Sequence, residues 1–162
     1  MELYTENKNE DGSVTKITYK DSDSFEVIDL QQIKQVYAVC FHKDQMVIVF
    51  HGKRQDWGLV GGKIEPNETL EAGLKREIQE ETNMKMLSYK PIGYQKVETN
   101  DKIIYQLRYV CEVEPYGDFK EDPAGSIVAV KLIDANSYKE YFDWGKIGDR
   151  IISRAIEINQ DN

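Results

Sequence analysis

Cysteine is scarce: there are two in 162 residues, Cys40 and Cys111. Two cysteines cannot build a disulfide framework, and both sit inside apolar runs, where a thiol behaves as a small buried hydrophobe. Neither has a flanking histidine or basic residue to activate it as a nucleophile. The two histidines, His42 and His51, fall at loop edges without metal-ligand spacing. No apolar stretch approaches the roughly 18 residues that a membrane-spanning helix needs. The polar opening segment MELYTENKNEDG carries no apolar signal core, so a cytoplasmic protein without membrane attachment is the expectation. Positive charge is also in deficit, with 21 Lys and Arg against 29 Asp and Glu and a net charge of −8. That balance excludes a general binder of polymeric nucleic acid, which would carry a basic face. Small phosphorylated ligands stay open, because a local basic patch or a bound cation overcomes the average.

What the chain does have is the length and composition of one soluble domain, 40% hydrophobic and 31% charged. Residues 1–34 are polar and turn-rich, an N-terminal elaboration expected to pack on a main domain at 35–162. Strand-like pieces stand at 14–19 and 25–30. From residue 36 the pattern sharpens: β-branched and aromatic runs at 36–41 and 46–50 flank a hairpin turn. Strands are further expected at 86–95, 103–113 and 127–132, with a loop at 118–126 marked by Pro123 and Gly125. Helical periodicity appears at 69–82, where Asn67 or Thr69 can cap the start and Asn83 the end. A second amphipathic helix carries Ile147, Ile151, Ala155 and Ile158 on one stripe. Strands with two helices imply an α/β fold, a mixed sheet covered by helices.

The first helix places its acids on an unexpected side. At about 100° per residue, Leu70, Leu74 and Ile78 form the apolar stripe, while Lys75, Gln79 and Thr82 fall opposite. Glu77, Glu80 and Glu81 nevertheless group on or beside the apolar stripe. Like charges at these spacings repel, and acids at a helix C-terminus oppose its dipole. A divalent cation relieves both conflicts, and a set of oxygen ligands without Cys or His favours Mg²⁺ or Mn²⁺ over zinc.

The same stretch resembles the box of the Nudix hydrolases, G-x5-E-x7-R-E-U-x-E-E-x-G-U, with U a bulky aliphatic residue. Gly62, Glu68, Arg76, Glu77, Ile78, Glu80, Glu81 and Met84 fall in register. Asn83 replaces the second glycine, at a point where a left-handed residue is expected and Asn is its best non-glycine occupant. The resemblance implies an α/β/α sandwich and metal-dependent hydrolysis of a phosphoanhydride in a nucleoside diphosphate linked to another group, with nucleoside triphosphates favoured. It implies metal ligation by Glu77, Glu80, Glu81 and the Gly61 carbonyl, with Gly62, Glu68 and Arg76 as scaffold. The general base is a box glutamate or a later loop acid, Glu121 or Asp122. Lys53 and Arg54 are candidates for phosphate contacts and Trp57 for base stacking. Two other readings stay open: a Nudix-fold module that binds nucleotide without cleaving it, and a structural protein whose acidic helix binds a partner. Oligomeric state is not legible.

Overall fold

The structure, a computed structural model, describes residues 1–161. Its elements in chain order are β1 (Glu2–Lys8), β2 (Val14–Asp21), β3 (Ile33–His42), β4 (Gln45–His51), β5 (Asp56–Gly58), β6 (Val60–Lys63), α1 (Leu70–Thr82), β7 (Met84–Thr99), β8 (Lys102–Pro115), β9 (Ile127–Ile133) and α2 (Gly145–Gln160). Short 3-10 turns occupy Leu30–Gln32 and Ala135–Glu140. One mixed sheet runs in the order β1-β2-β7-β8-β3-β4-β5, with β6 also paired to β3 and β9 to β4. The β3–β8 pair is parallel and the other pairings are antiparallel.

A helix covers each face of the sheet, which is why its middle strands are apolar on both sides. Along β3, Val36, Ala38 and Cys40 join Leu74 and Ile78 of α1 in one core. The alternating residues Val39 and Phe41 join Ile151, Ile152 and Ala155 of α2 in the other. The arrangement is an α/β/α sandwich, and both cysteines are buried thiols in the α1-side core. Among the described residues, no helix is long and apolar enough to cross a membrane.

Residues 1–34 extend the sheet. β2 pairs with the far half of β7, Thr15 against Thr99 through Asp21 against Gly93, and β1 forms the edge beyond it. The strand expected at 25–30 is absent. That segment is a turn whose Phe25 and Ile28 are buried in the α1-side core, and Asp29 caps the following 3-10 turn through the Gln31 N–H. Apolar anchors two and three residues apart serve a turn as well as a strand. β7 and β8 are longer than expected, because bulges at Met86/Ser88 and Pro91/Gly93 let the pairing continue.

Helix α1 begins at Thr69, whose Oγ1 accepts the Ala72 N–H at 3.1 Å. It ends at Asn83 in the left-handed conformation, φ 56° and ψ 41°, as its place in the box implied. Thr82, expected toward solvent, is buried: it lies one turn beyond Ile78 and its hydroxyl donates to the Ile78 carbonyl at 2.5 Å. The Asn83 side chain also donates to the Asp118 carbonyl at 3.0 Å, tying the helix end to the 116–126 loop. Asn83→Gly is expected to keep stability within about 1 kcal/mol, since Gly regains the conformation and loses one hydrogen bond. Asn83→Val is expected to lose about 2 kcal/mol or more in chemical denaturation, because a β-branched residue is strained there.

Candidate active site

The site begins at the glycine pair of β6, just ahead of the loop into α1. Gly61 has φ 147° while paired with Tyr37 of β3, a conformation reserved for glycine. A Cβ on Gly61 would collide with the Val36 carbonyl and stand 2.6 Å from the Tyr37 Cα. A Cβ on Gly62 would stand 2.8 Å from Glu77 Oε1. Gly61 therefore lets β6 lie close against β3, and Gly62 leaves the space into which Glu77 of α1 projects.

Arg76 organises the first ring of charges. Its Nε and Nη2 donate to the two Glu68 carboxylate oxygens at 2.7 and 2.9 Å, and Nη2 also donates to the Lys63 carbonyl at 3.0 Å. Glu68 in turn accepts the Glu65 N–H at 3.0 Å, so the 64–69 loop is pinned to the helix. The Arg76 guanidinium beside Glu68 holds that carboxyl below the usual range. Nη1 reaches Glu77 at 3.1 Å and Glu80 at 3.3 Å. Two of the three box acids thus share one cation.

Glu81 is different. It is 5% exposed and its Oε1 accepts the Gly61 N–H at 2.7 Å, with no basic side chain bonded to it. Burial, followed by repulsion from Glu77, Asp122 and Glu80, pushes its carboxyl up to about 8 against the pull of the Gly61 N–H. Burial also raises Glu77, with Arg76 opposing. The three acids crowd one end of α1, although among the described residues no three His, Cys, Asp or Glu side chains already converge as a ligand set.

The two loop acids divide. Asp122 is buried and accepts the Ala124 and Ile127 N–H groups at 2.9 and 3.1 Å, so it folds its own loop while lying close enough to raise Glu77 and Glu81. Glu121 is exposed and lines an open cleft of about 570 Å³ together with Arg76, Glu80 and Lys120.

The candidates upstream of the box also separate. Trp57 is packed edge-on between Phe50 and Tyr141, at 5.1 and 6.0 Å between ring centroids. Lys53 is exposed on its turn, and Arg54 pairs with Asp56 at 3.3 Å. Arg54 and His51 line a second cavity, about 380 Å³, on the α2 side of the sheet. Its walls include Tyr37, Gln95, Arg108 and Trp144, none of which the sequence singled out. One signal was available: Arg108 is a lone charge inside the apolar run of β8. Tyr37 connects the two regions, since its hydroxyl feels Arg108 and Arg54 as well as Glu81 and Glu77, with burial as the main influence raising it.

The family model described as NUDIX domain matches residues 32–154 of this chain. YtkD of Bacillus subtilis (strain 168), provisionally described as an 8-oxo-dGTP diphosphatase, is 32% identical over 81 residues, which are 50% of this chain and 51% of YtkD. The chain thus matches about half the length of that curated relative. Among solved structures, the Bacillus subtilis pyrophosphohydrolase BsRppH superposes with a TM-score of 0.70 at 20% identity, over 95% of this chain and 97% of that one. A NUDIX hydrolase from Nitrosomonas europaea gives 0.57 at 18% identity, over 76% and 86%.

Proposed function

The chain belongs to the NUDIX family, and from that premise we propose that it is a divalent-cation-dependent pyrophosphohydrolase acting on nucleoside triphosphates. The observation that carries this reading is the crowding of Glu77, Glu80 and Glu81 beside the Gly61–Gly62 pair of β6, with Glu81 buried and, among the described residues, bonded to no basic side chain. A buried carboxylate without a positive partner is costly. The donor set is all oxygen, and Gly62 leaves space beside the Glu77 carboxylate that a Cβ would fill. Those features fit Mg²⁺ or Mn²⁺, held by Glu77, Glu80, Glu81 and the Gly61 carbonyl. When bound, such an ion neutralises bridging oxygens and acidifies a water.

The chain's own residues supply the rest. Arg76 and Glu68 fix the loop against the helix, so the glycine pair keeps its place beside the acids. Arg54 offers a cation to phosphate oxygens from the cavity wall. Proton acceptance falls to Glu80, half-buried at the site, or to Glu121 across the cleft. Asp122 is the weaker candidate, because both its oxygens already accept backbone N–H groups. Trp57 belongs to the core between its two aromatic neighbours.

The test is a panel of nucleoside triphosphates, nucleotide sugars and dinucleoside polyphosphates with Mg²⁺, Mn²⁺ or chelator, with products identified by phosphorus NMR. Nucleoside monophosphate and pyrophosphate should form from triphosphates with metal and not in chelator. Glu80→Gln should fold normally and lose about 10³-fold in rate, roughly 4 kcal/mol of transition-state stabilisation. Metal-independent nucleotide binding without any turnover would instead establish a non-catalytic binding module.

A further inference from the structure

Arg108 is a buried cation in an acidic chain, and among the described residues no acid pairs with it. It sits between Leu107 and Tyr109 in β8 and is 5% exposed. Its guanidinium lies over the Tyr37 ring, 4.6 Å from the centroid. Nη2 donates to Gln95 Oε1 at 2.7 Å and to Gln106 Oε1 at 3.4 Å, while Nε–H has no partner. The charges it feels are those of Tyr37 and Tyr19, and burial lowers it only to about 10, so it stays protonated at neutral pH. Among the described residues no Asp or Glu lines the cavity onto which it opens, in a chain of net charge −8. A guanidinium buried for stability alone would be paired, because an unpaired buried charge is strongly unfavourable.

The neighbouring amides make the wall one-sided. Gln95 and Gln106 both turn their oxygens to Arg108, and the Gln106 amide nitrogen donates to Gln35 Oε1. Both amide oxygens are thus turned to the guanidinium, and Arg54, Gln95 and Arg108 place donors on the cavity wall beside Thr5, Asn7 and His51. At the rim, Trp144 is 43% exposed and crosses Gly58, where an added Cβ would stand 3.4 Å from its ring. A flat ligand with an acceptor-rich edge suits a donor wall beside an exposed indole.

We propose that Arg108 is a specificity-determining residue of the substrate site, selecting bases with a carbonyl oxygen at purine position 6 or pyrimidine position 4 over those with an amine there, with Trp144 as the stacking surface. This rests on the reading of the chain as a nucleotide hydrolase. Guanine and uracil edges offer acceptors to the guanidinium, and arginine to the O6/N7 edge of guanine is the commonest specific pairing of this kind. Adenine and cytosine put an amine against donors, leaving buried N–H groups unpaired, which a hydrogen-bonding site penalises heavily.

The experiment measures GMP, AMP, UMP and CMP binding by calorimetry, and GTP and ATP hydrolysis, for wild type, Arg108→Met and Gln95→Glu. Wild type should favour GMP over AMP by roughly 10–100-fold, as one bidentate base contact allows. Both variants should bring that ratio to within about threefold, since each removes or neutralises the guanidinium. Arg108→Met should melt no lower than wild type, whereas a merely structural arginine would lose stability. Equal binding of the four monophosphates by wild type, or an unchanged ratio in both variants, overturns the proposal. So does Arg108-dependent binding of inorganic pyrophosphate with the same affinity as GMP, which would make the cavity an anion site. Base preference without hydrolysis defeats the hydrolase reading and leaves Arg108 standing; hydrolysis without base preference does the reverse.

Discussion

Replacing Glu81 by Gln should reduce turnover by about 10³-fold and, in chelator at alkaline pH, raise the melting temperature. The two effects have one origin. Gln keeps the oxygen that accepts the Gly61 N–H at 2.7 Å, so the local geometry survives. It removes a carboxylate that burial and three neighbouring acids disfavour, and with it the anionic ligand proposed for the metal. A 10³-fold loss corresponds to roughly 4 kcal/mol at the transition state.

The pH dependence follows from linkage. The Glu81 carboxyl is held near 8 in the folded chain, above the ordinary carboxylate value that applies when unfolded. The folded state therefore binds the proton more tightly, and the stability this contributes is fully present below the unfolded value. It is lost as pH rises through about 8. Metal-free wild type should accordingly melt lower at pH 9 than at pH 6, and Glu81→Gln should show a smaller decline. The two should nearly coincide only below the ordinary carboxylate value, because at pH 6 Glu81 is protonated when folded but ionised when unfolded, and part of the gap is already open. Glu77, raised in the same direction, remains in the variant, so some decline persists. Parallel melting curves across this window would count against an uncompensated Glu81.

The second large effect is structural. Gly61→Ala should cost more than about 4 kcal/mol, the range reserved for severe local mechanisms. Its Cβ meets the backbone of β3, the Val36 carbonyl and the Tyr37 Cα, and neither can swing away. The φ of 147° adds strain that no L side chain relieves. Gly62→Ala is the informative contrast, because there the obstacle is the end of the Glu77 side chain at 2.8 Å. That carboxylate can shift, so Gly62→Ala should fold with modest loss of stability and a large loss of activity. Denaturation midpoints and initial rates on the two proteins read the difference directly. Equal stability for the pair would mean the strand is softer than its geometry implies.

Helix α1 was legible because its evidence is local. Thr69, the apolar spacing of Leu74 and Ile78, and the left-handed Asn83 all lie within fifteen positions of one another. The crowded acids were legible for the same reason, as was the pairing of Glu68 with Arg76 once the box was recognised. Thr82 misled because polarity was taken for exposure, while its hydroxyl satisfies itself within the helix. The strand β1, read only as polar chain, has alternating half-buried and exposed residues at an edge, a pattern too weak to separate from loop. The α2-side cavity was the least legible feature. Thr5, Gln95, Arg108 and Trp144 come from four distant segments, and only the sheet order brings them to one wall.

That sheet order also bears on how the chain is assembled during synthesis. Beyond its hairpin with β1, β2 pairs with residues 93–99 of β7, and Asp21 and Asp23 are held by Arg150 and Arg154 of α2. At typical elongation rates of about 5–20 residues per second, the first hairpin leaves the ribosome roughly 4–16 s before that partner strand. During the wait, β2 presents Ile17 and Tyr19 on an open edge, with charged Lys16 and Lys20 beside them to discourage wrong pairings. The parallel β3–β8 pair must likewise close a loop of about seventy residues, a slow non-local step. Nascent-chain proteolysis should therefore find residues 1–21 cleavable until residues 93–99 have emerged, and β3 and β4 cleavable until β8 and β9 follow.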